Sequence, residues 1–451
     1  MKLSRLLPAF AAAALAVPVL TACSSGGGSG SGGTVNWWTW DENQAAAYKQ
    51  CVPAFEKANP GITVKISQYN VNDYFTKLTA DFVAGNAPDA FQNSVQYFPT
   101  YVEQNQMEPL DSYAKGDTLS RYGVGVDVWK GKDGKQYGLP MDWASAGIYY
   151  NEAAIKAAGY TDKDLASMTW NLTDGGTFQK IAAHLTVDVR GKRGDQPGFD
   201  AKHIKVYGTG VLGAADFIGQ TSWFPFAAST GWTLGNTKAW PTQFNYTDPR
   251  FTQTMDWVKS MQEKGYAPSY SQFNVGNQTS VSDVQQIGAG KVAMTVGGSW
   301  EAASFASIQG VTVGTAPVPQ GPIGRRAVSN ANGNVMWAGS KNKDATWKWM
   351  SYQESAACQA KAALSNASFF PSINSAMDQL VAEQKTKGVD LSVYVAMEKD
   401  GDLELQAPYR NGSDMQAKLV PLFQAYFGGE KDDSVWATAG KTSKDVIAEN
   451  Q

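Results

Sequence analysis

Apolar and polar positions along the first hundred residues alternate between two periods. "TVNWWTW", residues 34 to 40, is a run of β-formers, and the next segment carries Tyr48, Cys51, Val52 and Phe55 at helical spacing until "NPG", Asn59 to Gly61, stops it. Pro53 lies inside that segment and predicts a kink or a restarted helix. "ITVKISQY" predicts a second strand, and Asn72 or Asp73 caps a helix whose Phe75, Leu78 and Phe82 share one face. Strand, helix, strand, helix is the order of an α/β fold with a mostly parallel sheet covered on both sides. Such sheets bind ligands in the crevice beyond the carboxyl ends of their strands. Trp40, Asp41, Glu42 and Asn43 then fall at the rim of a crevice, while strand alternation sends Trp37 and Trp38 to opposite faces, into the packing beneath the helices.

The start of the chain has a different pattern. Lys2 and Arg5 precede an apolar run from Leu6 to Leu20 that stops at "LTAC", so residues 1–22 predict a secretory signal peptide. The run is short of the roughly 20 residues that a comfortable membrane span needs. The small residues before Cys23 resemble the lipobox of bacterial lipoproteins, which would make Cys23 the first mature residue and the site of lipidation. Cleavage after a small-residue site in an ordinary secreted protein is the plainer alternative. Residues 23–33 are that Cys followed by "SSGGGSGSGG", Ser24 to Gly33, a flexible tether with no side chains able to build a core. The folded body begins near Thr34, held close to a membrane but outside it.

Composition narrows the classes. With 43% hydrophobic residues and a formal net charge of −3, the chain is neither disordered nor basic enough for nucleic acid. No later segment is long and apolar enough for a membrane span. Beyond Cys23 only Cys51 and Cys358 are present, and an exported compartment permits them to pair.

Catalytic and metal motifs fail in turn. His184 and His203 are the only histidines and stand far apart, and no C-x-x-C, P-loop or G-x-S-x-G elbow occurs. "GTGVLG", Gly208 to Gly213, follows the strand-like "HIKVY", yet no acidic residue stands about twenty residues on, so it reads as a Gly-rich loop rather than a dinucleotide site. Asp188, Asp195 and Asp200 share a second loop, where Arg190, Lys192 and Arg193 intrude and the oxygen ligands are too few for calcium. No carboxylate pair is singled out for glycoside hydrolysis. Neither a metal nor a cofactor is called for, and no catalytic residue is assigned.

Five stretches carry more specific information: "AGNAPDAFQNSVQYFPTYVEQNQMEPLDSY" from Ala84, "DGKQYGLPMDWASAGIYYNEAAIKAAGY" from Asp133, "GAGKVAMTVGGSWEAASF" from Gly288, "MWAGSKNKDATWKWMSY" from Met336 and "ASFFPSINSA" from Ala367. In this order and spacing the chain resembles the extracellular solute-binding proteins of bacterial ABC importers, in particular the group that delivers sugars and oligosaccharides. The resemblance implies a two-lobe α/β fold that closes on its ligand by a hinge motion. Lobe 1 would take residues 34–142 and 325–372, and lobe 2 residues 143–324 and 373–451, with crossings near "GLPMDW", "GPIGRR" and "FFPS". Cys51 and Cys358 would both lie in lobe 1, so a disulfide there leaves the hinge free; two buried thiols are the other arrangement. The implied partners are a small-molecule ligand and the permease subunits of the importer, for a monomer anchored to the outer face of the cell membrane by its lipid.

A sugar ring offers a C–H face to an aromatic plane and a rim of hydroxyls to amides and carboxylates. The chain holds 15 Trp and is 12% aromatic, a surplus that fits this use. Trp300 leads the candidates: in "GGSWEA" it follows a predicted strand and three small residues that let backbone approach a ligand, and in the family the matching aromatic commonly stacks on sugar. Trp143 and Asp142 follow at the first crossing, then Trp40 and Asp41 at the end of the first strand. Trp223, Phe224 and Trp232 are plates for the second wall or members of a core, and Asn332 and Asn334 offer amides near the second crossing. Glu301 is a ligand acceptor or a first-turn carboxylate with no ligand role. Arg410 is a partner for a charged sugar or an ordinary exposed Arg. Runner-up readings are the same fold holding a peptide, a polyamine or another polar solute, and, in another class, a surface glycoside hydrolase or lectin-like adhesin.

Overall fold

The structure, a computed structural model, describes residues 32–449 apart from 117, 214–215, 270–281 and 366–369. The signal segment and Cys23 lie outside the described residues. The strands are β1 Gly33–Thr39, β2 Ile62–Gln68, β3 Ala90–Ser94, β4 Gly138–Asn151, β5 Val187–Asp188, β6 Ile204–Thr209, β7 Val292–Gly298, β8 Val313–Ala316, β9 Ala327–Met336, β10 Phe370–Pro371 and β11 Leu403–Leu405. They form one sheet in the order β2-β1-β3-β9-β4-β7-β6-β5, with β8 and β10 on β4 and β11 on β9. β1 runs parallel to β2 and β3, and β6 parallel to β7; between these two parallel blocks β4 and β9 run antiparallel to each other, β9 to β3 and β4 to β7, while the short β11 lies parallel to β9.

The first elements form for the reasons their residues give. Asp41 caps α1 (Glu42–Lys49) by accepting the Gln44 backbone N–H, and the helix stops at Lys49 and restarts as α2 (Val52–Ala58) with Pro53 in its first turn, where the missing N–H costs nothing. α3 (Val71–Ala84) buries Tyr74, Phe75, Leu78 and Phe82 along one face. Trp37 and Trp38 enter different cores on opposite sides of β1.

Two sets of core residues meet on the long strands. Leu139 and Met141 of β4 pack with Trp37, Phe55, Trp349 and the rest of the first block, whereas Trp143, Ala146 and Ile148 of the same strand pack with Phe178, Trp223 and Met294 of the second. β9 makes the same change: Ala327 and Val328 belong to the second block, Ala331, Val335 and Met336 to the first. Strands that are apolar on both sides of the change hold both blocks in register.

Cys51 and Cys358 are joined in a disulfide with Cα atoms 5.6 Å apart, linking the junction of α1 and α2 to the helix Ala356–Ser365 inside the first block. Arg410 is neither an ordinary exposed cation nor open to a charged sugar. Its Nε donates to Glu103 of α4 (Phe98–Glu103) at 2.5 Å and its Nη1 to the Ile447 carbonyl, with only 12% of its side chain exposed. Trp240 makes a second tie between the blocks: its Nε1 donates to the Lys130 carbonyl at 3.2 Å and its ring packs against Phe98. Trp240 holds a left-handed backbone conformation, φ 53°, directly before Pro241, at an order-of-magnitude cost of about 1–3 kcal/mol that the packing of its ring offsets.

Candidate functional site

The floor between the two blocks is the stretch of β4 from Asp142 to Ala146, buried throughout, with Asn330 to Asn332 of β9 beside it, of which Asn330 alone is partly exposed. Asp142 begins the stretch and is 3% exposed. Its Oδ2 accepts from Gln44 Nε2 at 2.5 Å and its Oδ1 from Asn332 Nδ2 at 2.7 Å. Gln44 Oε1 in turn accepts from Gln92 Nε2 at 2.8 Å, and Gln92 Oε1 from the Thr39 hydroxyl. This relay joins the ends of β1 and β3, the first turn of α1 and both long strands, and every link in it points a donor toward Asp142. Burial opposes ionisation more strongly than the two amides favour it, so the Asp142 carboxyl is pushed up to about 7, with Asp41 adding to the rise.

That shift sets a pH dependence. A carboxyl whose folded value lies above its unfolded value near 4 favours the fold fully below about pH 4, and this contribution is lost as pH rises to about 7. The stability of the wild-type protein relative to Asp142→Asn should therefore fall between pH 4 and pH 7, by on the order of 2–4 kcal/mol. Urea unfolding of both proteins at several pH values measures it; a stability difference independent of pH would show that Asp142 stays ionised in the fold.

Trp40 and Asp41 edge the first wall. Trp40 is half-buried against Tyr74 and Phe75, with ring centroids 5.3 Å away in both cases, and Asp41 keeps part of its carboxylate exposed while capping α1 at 2.7 Å. Burial raises the Asp41 carboxyl against the backbone N–H groups of Gln44 and Asn43. The second wall starts where β7 ends. The β7 to β4 pairing ends at Ala146 and Gly298, where the chain turns into a short 3-10 helix, Ser299–Glu301, and the Ser145 N–H donates to Ser299 Oγ at 3.2 Å. Trp300 is half-buried, and no other aromatic ring packs on it among the described residues. Glu301 acts as the first-turn carboxylate: its Oε2 accepts the Gly298 N–H at 3.0 Å, and burial raises its carboxyl despite that bond.

Several candidates lie elsewhere. Trp143 points to the face opposite Asp142, as strand alternation demands, and meets Phe370 edge to face at 4.8 Å with 3% exposure. Trp223 and Trp232 are core rings, packed on Phe251 at 5.4 and 5.2 Å, and Phe224 is buried against Trp232. A ring sealed in this way has no face left for a sugar. Asn334 is also spent inside: its Oδ1 accepts from Trp37 Nε1 and its Nδ2 donates to Gln353 and Glu354. Asn332 is buried as well, its Nδ2 spent on Asp142 in the relay. Gln44, Gln220 and Asn330 were not singled out from sequence, whereas Gln92 lies in the stretch Gln92 to Gln96 that the family resemblance offers as minor candidates; Gln220 Nε2 donates to Asn330 Oδ1 at 3.1 Å, carrying the second wall onto the floor. The only sequence signal for Gln44 is its place one turn after the capping Asp41.

The motifs set aside have structural duties. A Cβ on Gly208 would fall 1.9 Å from the Ala182 carbonyl oxygen and one on Gly210 2.3 Å from Thr295 Oγ1, so the glycines of "GTGVLG" serve close packing. Asp188 is fully occupied. Although burial opposes its charge, the N–H groups of Lys192, Asp200 and Arg190 and the Arg190 guanidinium hold its carboxyl down to about 2, leaving no oxygen for a cation. His184 and His203 pair with Asp195 and Asp200 in the same loop region. Among the described residues no cluster of His, Cys, Asp and Glu could hold a metal, and no helix is long and apolar enough to cross a membrane.

A putative binding protein of Brucella abortus is 24% identical over 415 residues, 89% of each chain. The maltodextrin-binding protein MdxE of Bacillus subtilis is 27% identical over 343 residues, covering 74% of this chain and 72% of that one. The crystal structure of UspC from M. tuberculosis superposes with a TM-score of 0.77 at 25% identity, over 92% of this chain and 100% of that one. The fold is that of the two-lobe periplasmic binding proteins. A model of the bacterial extracellular solute-binding proteins matches residues 50–389. The chain belongs to that family, whose members work outside the cytoplasm.

Proposed function

We propose that the protein captures a sugar or oligosaccharide between its two lobes and delivers it to the permease of an ABC importer. The observation that carries this reading is a half-buried indole without a ring partner among the described residues, Trp300, directly after Ser299, which is bonded to Ser145 of β4, together with the partly exposed amides of Gln220 and Asn330. A flat apolar face beside oriented donors and acceptors matches the two faces of a pyranose. The maltodextrin-binding relative supports a carbohydrate. Asp41 and Asp142 are already held by protein donors, so the floor does not gather the free negative charge a polyamine requires.

The lobes are 34–142 with 325–372, and 143–324 with 373–451, in this reading. Cys23 carries a lipid that tethers a monomer to the outer face of the membrane through the Gly/Ser segment. The cleft performs no chemistry: it holds by stacking and hydrogen bonds and then lets go, with no group placed for a transition state.

A thermal-shift screen of the mature chain against mono-, di- and oligosaccharides, with amino acids, peptides and polyamines alongside, tests the reading. A ligand that binds only the folded state adds about 2.7 kcal/mol at a hundredfold excess over Kd. A rise in melting temperature with one sugar class is expected. Silence from every sugar with a clear rise from a peptide or polyamine would move the protein to another ligand class, and sugar release from a polysaccharide above the blank would make it an enzyme.

A further inference from the structure

We infer that Tyr149 and Tyr394, both buried behind the cleft, are positioning residues that set the indole of Trp300 through the Gly298 peptide. The consequence for affinity rests on the sugar-facing role given to Trp300 above; the mechanical link does not.

The Gly298 peptide groups are held from two sides. The Gly298 N–H donates to Glu301 Oε2 at 3.0 Å, and the Gly298 carbonyl accepts from the Tyr149 hydroxyl at 2.9 Å. The Tyr149 oxygen accepts in turn from the Tyr394 hydroxyl at 2.7 Å, so a two-step chain of donors ends on that carbonyl. Tyr149 is 1% exposed and its ring is stacked on Phe305 at 4.0 Å and 21°; Tyr394 is fully buried. Neither ring can turn without breaking packing, so both hydroxyls are fixed in space.

Trp300 is coupled to this peptide by contact. A Cβ placed on Gly298 would lie 2.3 Å from the indole, which means that the ring rests directly on the glycine Cα. Displacing the Gly298 peptide displaces the ring. The paired strand is cut back to fit: Gly147 faces Gly297 across the β4 to β7 ladder, and a Cβ on Gly147 would meet the Tyr394 hydroxyl at 3.0 Å. Phe at 149 would fill the same space, so what Tyr adds is a hydroxyl whose partners are the Gly298 carbonyl and Tyr394. Buried hydroxyls cost stability unless bonded, and here both bonds serve the turn that presents Trp300.

The test labels the mature chain with 5-fluorotryptophan and identifies the Trp300 line in the 19F NMR spectrum by its absence from Trp300→Phe. In Tyr149→Phe that line should shift or broaden while the other indole lines hold their positions, which also shows that the fold is intact. Tyr394→Phe, which keeps the bond to Gly298, should move it less. An unmoved Trp300 line in folded Tyr149→Phe overturns the proposal; should that variant fail to fold, Tyr394→Phe decides, a moved line supporting the proposal and an unmoved one overturning it. Maltotriose titration supplies the functional arm, with about a fivefold loss of affinity expected in Tyr149→Phe from one missing hydrogen bond. Failure of the wild-type protein to bind maltotriose counts against the sugar assignment, whereas the NMR comparison still decides the positioning role.

Discussion

Replacing Cys51 and Cys358 together by Ala should lower the stability of the first lobe by about 3–5 kcal/mol and leave ligand affinity within about twofold. The bond spans 307 residues, so opening it releases a very large loop in the unfolded chain, and the entropic gain of that chain is near the upper end of what one disulfide supplies. Affinity should hold because both sulfurs are buried in the core that contains Phe55, Trp349 and Met336 and the bond ties elements of the first block only. Urea unfolding with and without dithiothreitol measures the first effect: reductant should destabilise the wild-type protein and leave the double variant unchanged. Isothermal titration with the bound sugar measures the second. A tenfold change in affinity without a loss of stability would mean that the bond ties parts that move against each other during closure.

The early elements were legible because local rules decide them. Asp41 is an N-cap by residue type, Pro53 marks the restart of a helix, and the alternation of Trp37 and Trp38 follows from the period of a strand. The same alternation could have removed Trp143 from the candidates once Asp142 was placed toward the cleft, since neighbours on one strand cannot share a face. Asn334 could not have been judged alone: its partners Trp37, Gln353 and Glu354 come from distant positions, the first 297 residues away. Trp223 and Trp232 carry the residue type and the small flanking residues that a sugar plate would have, and only the rings of Phe251 and Phe423 around them make them core. Residue type sets what a side chain can bind; long-range packing sets whether anything can reach it.

Trp300→Ala should weaken sugar binding by about ten- to a hundredfold, the cost of an aromatic face of this size at a partly buried contact. The free protein should lose little stability, because the ring is half-buried and rests on a glycine rather than in a core. Trp223→Ala should do the reverse. That ring is fully buried among Phe251, Trp232 and Phe423, so its removal should cost about 3–5 kcal/mol of stability with no direct effect on the cleft. Measuring both proteins by titration and by urea unfolding separates the two roles, which a loss of activity in one variant could not. Equal affinity in Trp300→Ala and the wild-type protein would leave the half-buried indole without a ligand and transfer the stacking role to Trp40, the other half-buried Trp at the mouth of the cleft. Loss of affinity in Trp223→Ala at full stability would place the second-lobe aromatic cluster back at the site. The outcomes differ because the two indoles differ in one physical respect, the presence or absence of partners on the ring faces, and that difference is what the sequence of each tryptophan's neighbours does not disclose.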